Sequence, residues 1–165
     1  MEQFVYLAGP VLGMTEKAAN DWRQDVAERL AQHGIVGISP LRCEPIHGQT
    51  YQPGYPDDRF GTARAIMHKN LLDVQKCDMT LAYLPRPREP LPGEFDLPHH
   101  SWGTMAELSW AKALGKPAVL VTDDPKIRAH PVLNASAGWV LDNFTDACDV
   151  LIGILGGYTG GSRNV

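Results

Sequence analysis

Residues 101–107, Ser-Trp-Gly-Thr-Met-Ala-Glu, combine small polar side chains with one carboxylate at a spacing that can serve catalysis. Gly103 predicts a tight turn, and either Ser101 or Thr104 can cap the helix that follows. Glu107 is predicted about three residues into that helix, where the helix dipole favours an ionised, nucleophilic carboxylate and the free amides suit an anion such as phosphate. Thr104 and Glu107 equally fit the S/T-x-x-E capping box, a purely structural role. The spacing alone leaves catalysis and capping open.

Two further polar side chains, Asn70 and Asp73, lie three residues apart in the stretch KNLLDVQKCD and share one face of a predicted helix. An isolated pair of this kind usually belongs to a solvated helix face. If the helix borders a site, Asn70 can hydrogen-bond a heterocycle or a sugar hydroxyl, and Asp73 can offer or accept a proton. Asp78, at the start of the next strand, is expected to be a structural hydrogen-bonding residue.

The stretch YLAGP places Tyr6 at the carboxyl end of a predicted strand, where its phenol can orient a carboxylate. Gly9 predicts an unusual backbone conformation in the turn after that strand. The stretch matches neither the GxGxxG dinucleotide fingerprint nor the GxxxxGK[ST] phosphate loop, which disfavours both classes of nucleotide-binding fold.

Composition indicates the class of protein and disfavours some kinds of partner and of site. The 165 residues are 44% hydrophobic and 21% charged, with a net charge of −4, which fits one globular domain and gives no electrostatic reason to expect a nucleic-acid polymer as partner. The three cysteines have no spacing that suits zinc. The adjacent His99 and His100 make a poor metal site and are expected in a solvated loop. We therefore expect no metal.

The apolar runs of the chain bear on its location. The start lacks a basic segment followed by a long apolar run, and no apolar stretch reaches the roughly 18 residues of a membrane span. Together with unpaired cysteines that suit a reducing compartment, these features predict a cytoplasmic protein without membrane contact.

Alternating strand and helix patterns predict an α/β fold. The parallel connections that they imply give a three-layer single domain over residues 1–165, with a mainly parallel sheet of four or five strands and a flexible tail at 158–165. Strands are predicted at 4–9, 35–40, 78–84, 116–123 and 139–141, helices at 15–34, 63–77, 104–115 and 144–157, and long loops at 41–62, 85–100 and 130–143.

The first helix illustrates the pattern. Thr15 is its predicted N-cap, Gly34 its stop, and the apolar face is predicted to carry Ala18, Trp22, Val26 and Leu30.

Ligands of such sheets bind beyond the carboxyl ends of the strands. Three segments are predicted to converge there: the loop after Tyr6, the loop after Leu84 and the turn that leads to Glu107.

Four stretches, in this order, resemble the nucleoside 2-deoxyribosyltransferase family: VYLAGP, KNLLDVQKCDMTLAYL, SWGTMAELSWAKALGKPAVLV and HPVLNASAGWVL. The resemblance implies a flavodoxin-like (Rossmann-like) fold and a homo-oligomer, either a dimer or a hexamer. It implies transfer of 2-deoxyribose between nucleobases with retention of configuration, without a metal or an organic cofactor. The implied partners are nucleosides or nucleotides and free nucleobases.

The resemblance also assigns roles to residues. Glu107 matches the family nucleophile, Tyr6 the tyrosine that holds it, and Ser101 a position that contacts the sugar or a 5′-phosphate. Asn70 stands where many members carry an aspartate that handles the base, and an amide can hydrogen-bond a base but cannot protonate it. Either Asp73 takes over that role or protonation of the leaving base is weaker here.

Further binding positions are expected near these residues. Gly9, Pro10 and Gly103 are expected to bind substrate, and Trp102 either stacks a base or packs against the proline-rich loop. The segment 134–138, with Asn134 and Ser136, matches a loop that reaches a neighbouring subunit's pocket.

Two other functions stay open. A 2′-deoxynucleoside 5′-monophosphate N-glycosidase would be favoured by Ser101, Arg59 or Arg64 near the pocket. A non-catalytic nucleotide-binding module of the same fold is kept open by Asn70.

Overall fold

The computed structural model describes residues 2–46, 48–87 and 100–156. The predicted flexible tail at 158–165, most of the predicted loop at 85–100 and His99 lie outside these ranges.

Strands and helices alternate along the described part of the chain, as predicted, except that two short helices lie between the last two strands. The ends of the elements differ from the predicted ones by a few residues. The strands are β1 (Gln3–Ala8), β2 (Ile35–Ile38), β3 (Met79–Tyr83), β4 (Ala118–Val121) and β5 (Trp139–Leu141). The helices are α1 (Glu16–Ala31), α2 (Ala63–Lys76), α3 (Trp102–Ala113), α4 (Pro125–Ala129), α5 (Pro131–Ser136) and α6 (Phe144–Leu155).

The five strands form one parallel sheet in the order β2-β1-β3-β4-β5. The strand order reverses between β1 and β3, as in flavodoxin-like domains, and this reversal opens a crevice at the carboxyl ends of those two strands. The predicted flavodoxin-like α/β class, with a parallel sheet and helices on both faces, is confirmed.

Successive residues of the central strands face opposite sides of the sheet and enter two separate apolar layers. Leu7 of β1 belongs to the layer that packs against α1 and α6. Tyr6, its neighbour, belongs to the layer that packs against α2 and α3. Tyr6 therefore lies on the face of the sheet covered by the two helices that carry Asn70 and Glu107.

Helix α1 begins and ends as predicted and buries part of the predicted face. Thr15 caps it, and Gly34 follows it with a φ of 73°. Ala18 is exposed, whereas Ala19 and Arg23 are buried. Val26 and Leu30 are buried as predicted, and the buried face extends further to Arg23, whose charged side chain points into the protein and not into solvent.

The prediction of a loop at 130–143 is wrong for its first half, which forms α5. Pro131 occupies the first helical position, where its missing N–H is not needed. His130 caps the helix by accepting a hydrogen bond from the backbone N–H of Leu133 at 3.3 Å. The predicted strand at 139–141 is present as β5.

Asp78 has the structural role predicted for it. Its carboxylate accepts a hydrogen bond from the backbone N–H of Phe4 at 2.8 Å, and this contact ties the start of β3 to β1.

Gly9 follows β1 and is needed for a close approach. It is not among the described glycines with positive φ, so the predicted unusual backbone is wrong. A Cβ at this position would lie 2.4 Å from Cζ2 of Trp22. That ring stacks on Phe144 with centroids 5.1 Å apart, so it has little room to move.

We expect Gly9→Ala to destabilise the fold by about 1–3 kcal/mol, because the added methyl overpacks the Trp22 contact. Gly103→Ala is the matched control. Gly103 lies inside α3, not in the predicted tight turn, and its added Cβ would meet nothing closer than 4.0 Å. Alanine there is expected to be neutral or to stabilise by up to about 1 kcal/mol. Urea unfolding measures both variants, and equal effects would contradict the steric account.

Candidate active site

Glu107 lies on the second turn of α3. Ser101 is the N-cap of this helix, and its hydroxyl oxygen accepts a hydrogen bond from the backbone N–H of Thr104 at 3.3 Å. The helix therefore starts earlier than predicted, and Glu107 stands nearly a full turn further from the cap. A capping-box glutamate must bond back to the backbone of its own N-cap. Glu107 bonds to other elements instead, so the capping-box interpretation is wrong.

The carboxylate of Glu107 is held by side chains from β1 and α2. The hydroxyl of Tyr6 donates to Oε1 at 2.7 Å, and the Nδ2 amide of Asn70 donates to the same oxygen at 3.0 Å. Within the ranges that the structure describes, no residue donates a hydrogen bond to Oε2. One carboxylate oxygen is thus fixed while the other retains its lone pairs.

Glu107 forms part of the wall of a cavity of about 1110 Å³ at the carboxyl ends of the strands, a volume slightly above the usual range for small-molecule sites. The loop after β1, the segment after β3 and the start of α3 all contribute to it, as predicted. The predicted site residues that line the cavity are Gly9, Pro10, Asn70, Ser101, Trp102, Gly103 and Glu107.

The remaining predicted site residues lie elsewhere. Tyr6 is fully buried behind Glu107. Asn134 and Ser136 lie on α5, away from this cavity. The Asn134 amide donates to the carbonyl of Arg128 at 3.0 Å, and the Ser136 hydroxyl to that of Val132 at 2.7 Å.

Burial raises the pKa of Glu107 from its ordinary value of 4.5 to about 7. The hydrogen bonds from Tyr6 and Asn70 and the charges of Arg23 and Lys69 lower the pKa but do not offset the loss of hydration. The expected ionisation by the helix dipole is outweighed, because that effect fades beyond the first turn. Near neutral pH both protonation states of Glu107 are populated.

Tyr6 remains a hydrogen-bond donor. Burial, followed by the negative charge of Glu107, raises the pKa of its phenol well above 10. The phenol therefore stays protonated wherever Glu107 is ionised.

Arg23 is a buried cation next to the cavity that the sequence analysis missed. Its Nε donates to the carbonyl of Leu7 at 3.1 Å and a terminal nitrogen donates to that of Gly9 at 2.8 Å, so it fixes the end of β1 and the loop after it. Burial lowers the pKa of its guanidinium to about 10. The signal was an arginine at helical spacing with the buried Ala19 and Leu30.

Lys69 fixes the orientation of the Asn70 amide. Its ammonium donates to Oδ1 of Asn70 at 2.8 Å and to the carbonyl of Pro40 at 2.7 Å. Since the amide oxygen is held by a cation, the amide N–H₂ points to Glu107. Asn70 therefore positions the carboxylate, a contact that was not predicted from the sequence.

Asp73 does not reach the cavity. Both of its oxygens accept hydrogen bonds from the guanidinium of Arg42, at 2.6 and 2.7 Å, and its side chain is almost completely buried. This bidentate pair anchors the turn after β2 to α2. A carboxylate committed in this way is a poor proton carrier, so the structure gives Asp73 an anchoring role in place of the predicted catalytic one.

The cations near the cavity differ from the predicted ones. Neither Arg59 nor Arg64 lines it, and Arg59 pairs with Asp57 at 3.3 Å. Lys17, at the start of α1, does line the cavity and forms an ion pair with Asp21.

His100 is not the solvated loop residue that was expected. Its imidazole lines the cavity, and its Nε2 lies 3.2 Å from a carboxylate oxygen of the buried Asp124. This pair fixes the segment just before the α3 cap.

Two further observations concern the described ranges only. They contain no cluster of histidine, cysteine, aspartate or glutamate that could hold a metal ion. No helix within them has the length and apolar character needed to cross a membrane.

Solved structures share this fold at low sequence identity. A conserved protein from Enterococcus faecalis is 17% identical over 94% of this chain and 100% of its own, with a TM-score of 0.65. A CMP N-glycosidase from Clostridium botulinum is 18% identical over 93% and 100% of the two chains, with a TM-score of 0.54. A 2-desoxiribosyltransferase from Leishmania mexicana is 20% identical over 91% and 96%, also with a TM-score of 0.54. At these identities the likeness shows the fold alone.

No curated protein matches the chain. The family model for nucleoside 2-deoxyribosyltransferase, in contrast, matches residues 5–155, which include Tyr6, Glu107 and every described residue that lines the cavity. The chain therefore belongs to the nucleoside 2-deoxyribosyltransferase family.

Proposed function

We propose that this protein transfers 2-deoxyribose between nucleobases through a covalent intermediate on Glu107. The observation that carries the proposal is the asymmetry of the Glu107 carboxylate, with Oε1 fixed by Tyr6 and Asn70 and Oε2 without a hydrogen bond from any described residue. Family membership supports the choice of substrate class.

In the first half of the reaction, a lone pair on Oε2 forms a bond to C1′ of the deoxynucleoside as the bond from C1′ to the base breaks. The transition state has the character of an oxocarbenium ion, which the negative carboxylate stabilises. The missing 2′-hydroxyl of deoxyribose makes that cation easier to form.

In the second half, a nitrogen of an incoming base attacks C1′ on the face that the first base has left, and the bond from C1′ to Glu107 breaks. Two inversions give net retention of configuration. If water attacks in place of the base, the product is free deoxyribose, so hydrolysis is the expected side reaction.

The role of Asn70 in this reaction does not require it to donate a proton to the base. Together with Tyr6, its amide fixes the rotation of the carboxylate, so that Oε2 is presented to the sugar at little entropic cost. Asn70 therefore gives no reason to prefer a non-catalytic binding module.

We expect Tyr6→Phe to move the rising limb of kcat/KM to a higher pH. The phenol lowers the pKa of Glu107, so its loss raises that pKa above about 7, and the nucleophilic carboxylate forms only at higher pH. The loss at pH 7 is expected to be roughly tenfold or more, since a hydrogen bond to a charged group is removed. A pH profile of kcat/KM tests this, and an unchanged limb would contradict the role of Tyr6.

The proposed function is tested by incubating the protein with 2′-deoxyadenosine, with and without a second nucleobase. Chromatography should show a new deoxynucleoside that contains the second base, at a rate above that of deoxyribose release. Release of deoxyribose alone, whatever the acceptor, would make the protein a hydrolase. If the protein cleaves none of the common deoxynucleosides or deoxynucleotides, the enzymatic proposal is wrong.

A second candidate is hydrolysis of 2′-deoxynucleoside 5′-monophosphates. It is favoured by Lys17, a cation on the cavity wall at the start of α1, where the helix dipole also suits a phosphate. Comparison of 2′-deoxyadenosine with its 5′-monophosphate as donor separates the two candidates.

The proposal includes assembly into a homo-oligomer, a dimer or a hexamer, in which Asn134 and Ser136 approach the cavity of a neighbouring subunit. It is supported by family membership and by the position of both residues away from the cavity of their own chain. Sedimentation equilibrium of the full chain measures the assembly.

A further inference from the structure

The proposed reaction needs a proton for the leaving base, because a neutral purine or pyrimidine is a better leaving group than its anion. The residues around Glu107 do not supply one. Tyr6 donates its proton to Glu107, Asn70 has an amide, and Asp73 is held by Arg42. Another titratable group on the cavity wall can supply it.

Glu44 lies on that wall, as does Asn70. It is half-buried, and its side chain accepts no hydrogen bond from a described residue. Lys69, which holds Asn70, is also the cation whose charge acts on Glu44. Glu44 and Asn70 therefore both lie near Lys69 and both face the cavity.

The turn that carries Glu44 is held rigidly. Its backbone N–H donates to the carbonyl of Leu41 at 3.0 Å. Arg42, within the same turn, is anchored to α2 by both oxygens of Asp73, and the hydroxyl of Tyr55 donates to the carbonyl of Cys43 at 3.2 Å. The fixed backbone limits where the Glu44 carboxyl group can lie along the cavity wall, which favours a proton donor.

Resting on the proposed function, we propose that Glu44 is the general acid that protonates the leaving base and the general base that deprotonates the incoming one. The proton of the Glu44 carboxyl moves to a ring nitrogen of the base while Oε2 of Glu107 bonds to C1′. The electron pair of the broken bond stays on the base, which leaves as a neutral molecule. The Glu44 carboxylate then takes back a proton from the incoming base as that base attacks C1′.

This division of roles arises when the substrate binds, because burial raises the pKa of both carboxyl groups before that. Burial raises the pKa of Glu44, Lys69 lowers it, and a bound base would remove more water from the carboxyl group and so favour its protonated form. Glu107 instead faces the sugar, whose developing positive charge favours a carboxylate. Two carboxyl groups thus take opposite protonation states because they face different parts of the substrate.

The experiment compares Glu44→Gln with the unmodified protein on 2′-deoxyguanosine and 7-methyl-2′-deoxyguanosine. The methylated base is already cationic and leaves without a proton. Loss of a general acid is expected to lower kcat/KM for 2′-deoxyguanosine by about 100-fold or more, and to leave the methylated donor within a few-fold. Glu44→Asp, which keeps an acid, should restore part of the lost activity.

Glu28→Gln, an exposed change on α1, is the matched control and should leave both donors unchanged. Equal losses on the two donors would make Glu44 a binding or structural residue and overturn the proposal, as would no loss on either. A separate variant, Glu107→Gln, tests the proposed function. If that variant still turns over the methylated donor at the unmodified rate, the nucleophile assignment fails whatever Glu44 does.

Discussion

Glu107→Gln is expected to lower the rate of deoxyribosyl transfer by a factor on the order of 10⁴ to 10⁶, the range seen when an enzyme loses a covalent nucleophile. Glutamine fills the same volume, and its amide oxygen can still accept the hydrogen bonds of Tyr6 and Asn70. It cannot form the ester to C1′, nor can it stabilise an oxocarbenium ion with a negative charge. The change therefore removes the chemistry and keeps the shape of the site.

The measurement is kcat/KM for deoxyribosyl transfer at pH 8, where Glu107 is mostly ionised. Glu28→Gln again serves as the control, because it makes the same chemical change on the exposed surface of α1. A Glu107→Gln variant that keeps more than a tenth of the activity would show that the cavity works without this nucleophile.

The same substitution is expected to stabilise the fold above neutral pH. The pKa of Glu107 is about 7 in the folded protein against an ordinary 4.5, so folding favours the protonated carboxyl. The stability that this preference provides is fully present below about pH 4.5 and is lost as the pH rises through about 7. At pH 8 the folded protein must hold a buried carboxylate, at a cost of about 3 kcal/mol.

Because glutamine carries no charge at any pH, Glu107→Gln is expected to unfold with a free energy about 3 kcal/mol higher than that of the unmodified protein at pH 8. Near pH 4.5 the difference should shrink to below about 1 kcal/mol. Urea unfolding at the two pH values, with Glu28→Gln alongside, measures the change. A difference that is independent of pH would contradict the raised pKa, and a destabilised variant would mean that the hydrogen bonds at Oε1 require a charge.

The two expectations concern the same property of Glu107. Burial makes the carboxylate costly to ionise, and a poorly hydrated carboxylate near neutral pH reacts readily with an electron-poor carbon. Arg23 and Lys69 reduce that cost without forming an ion pair that would block Oε2. Burial of Glu107 thus lowers the stability of the fold above neutral pH and makes its carboxylate a more reactive nucleophile.

The fold was predictable because local signals and the global architecture agree. Short apolar runs marked β1 to β5, a polar cap marked α1, and strand–helix alternation leaves a parallel sheet as the natural arrangement. The exceptions were the two short helices between β4 and β5. Helix α4 was not predicted, and at α5 proline and polar residues were interpreted as a loop although Pro131 is a favourable helix start.

Within the site, the identity of Glu107 could be predicted but its surroundings could not. Ser101 and Thr104 are equally good N-cap residues by sequence, and the choice between them depends on how α3 packs on the sheet. The partner of Asp73 lies in a different loop, so the bidentate contact with Arg42 depends on tertiary structure. Helix prediction assumes that the buried face is apolar, so it does not identify a buried charged residue such as Arg23.

The most direct test of the proposed reaction is the intact mass of the protein after incubation with a 2′-deoxynucleoside that carries fluorine at the 2′ position, which slows release of the sugar from the enzyme. The account predicts that the protein gains the mass of one fluorinated deoxyribosyl group, that peptide mapping places it on Glu107, and that Glu107→Ala gains nothing. An unmodified protein that releases the base without any sugar adduct, or that carries the adduct on another residue, would contradict it.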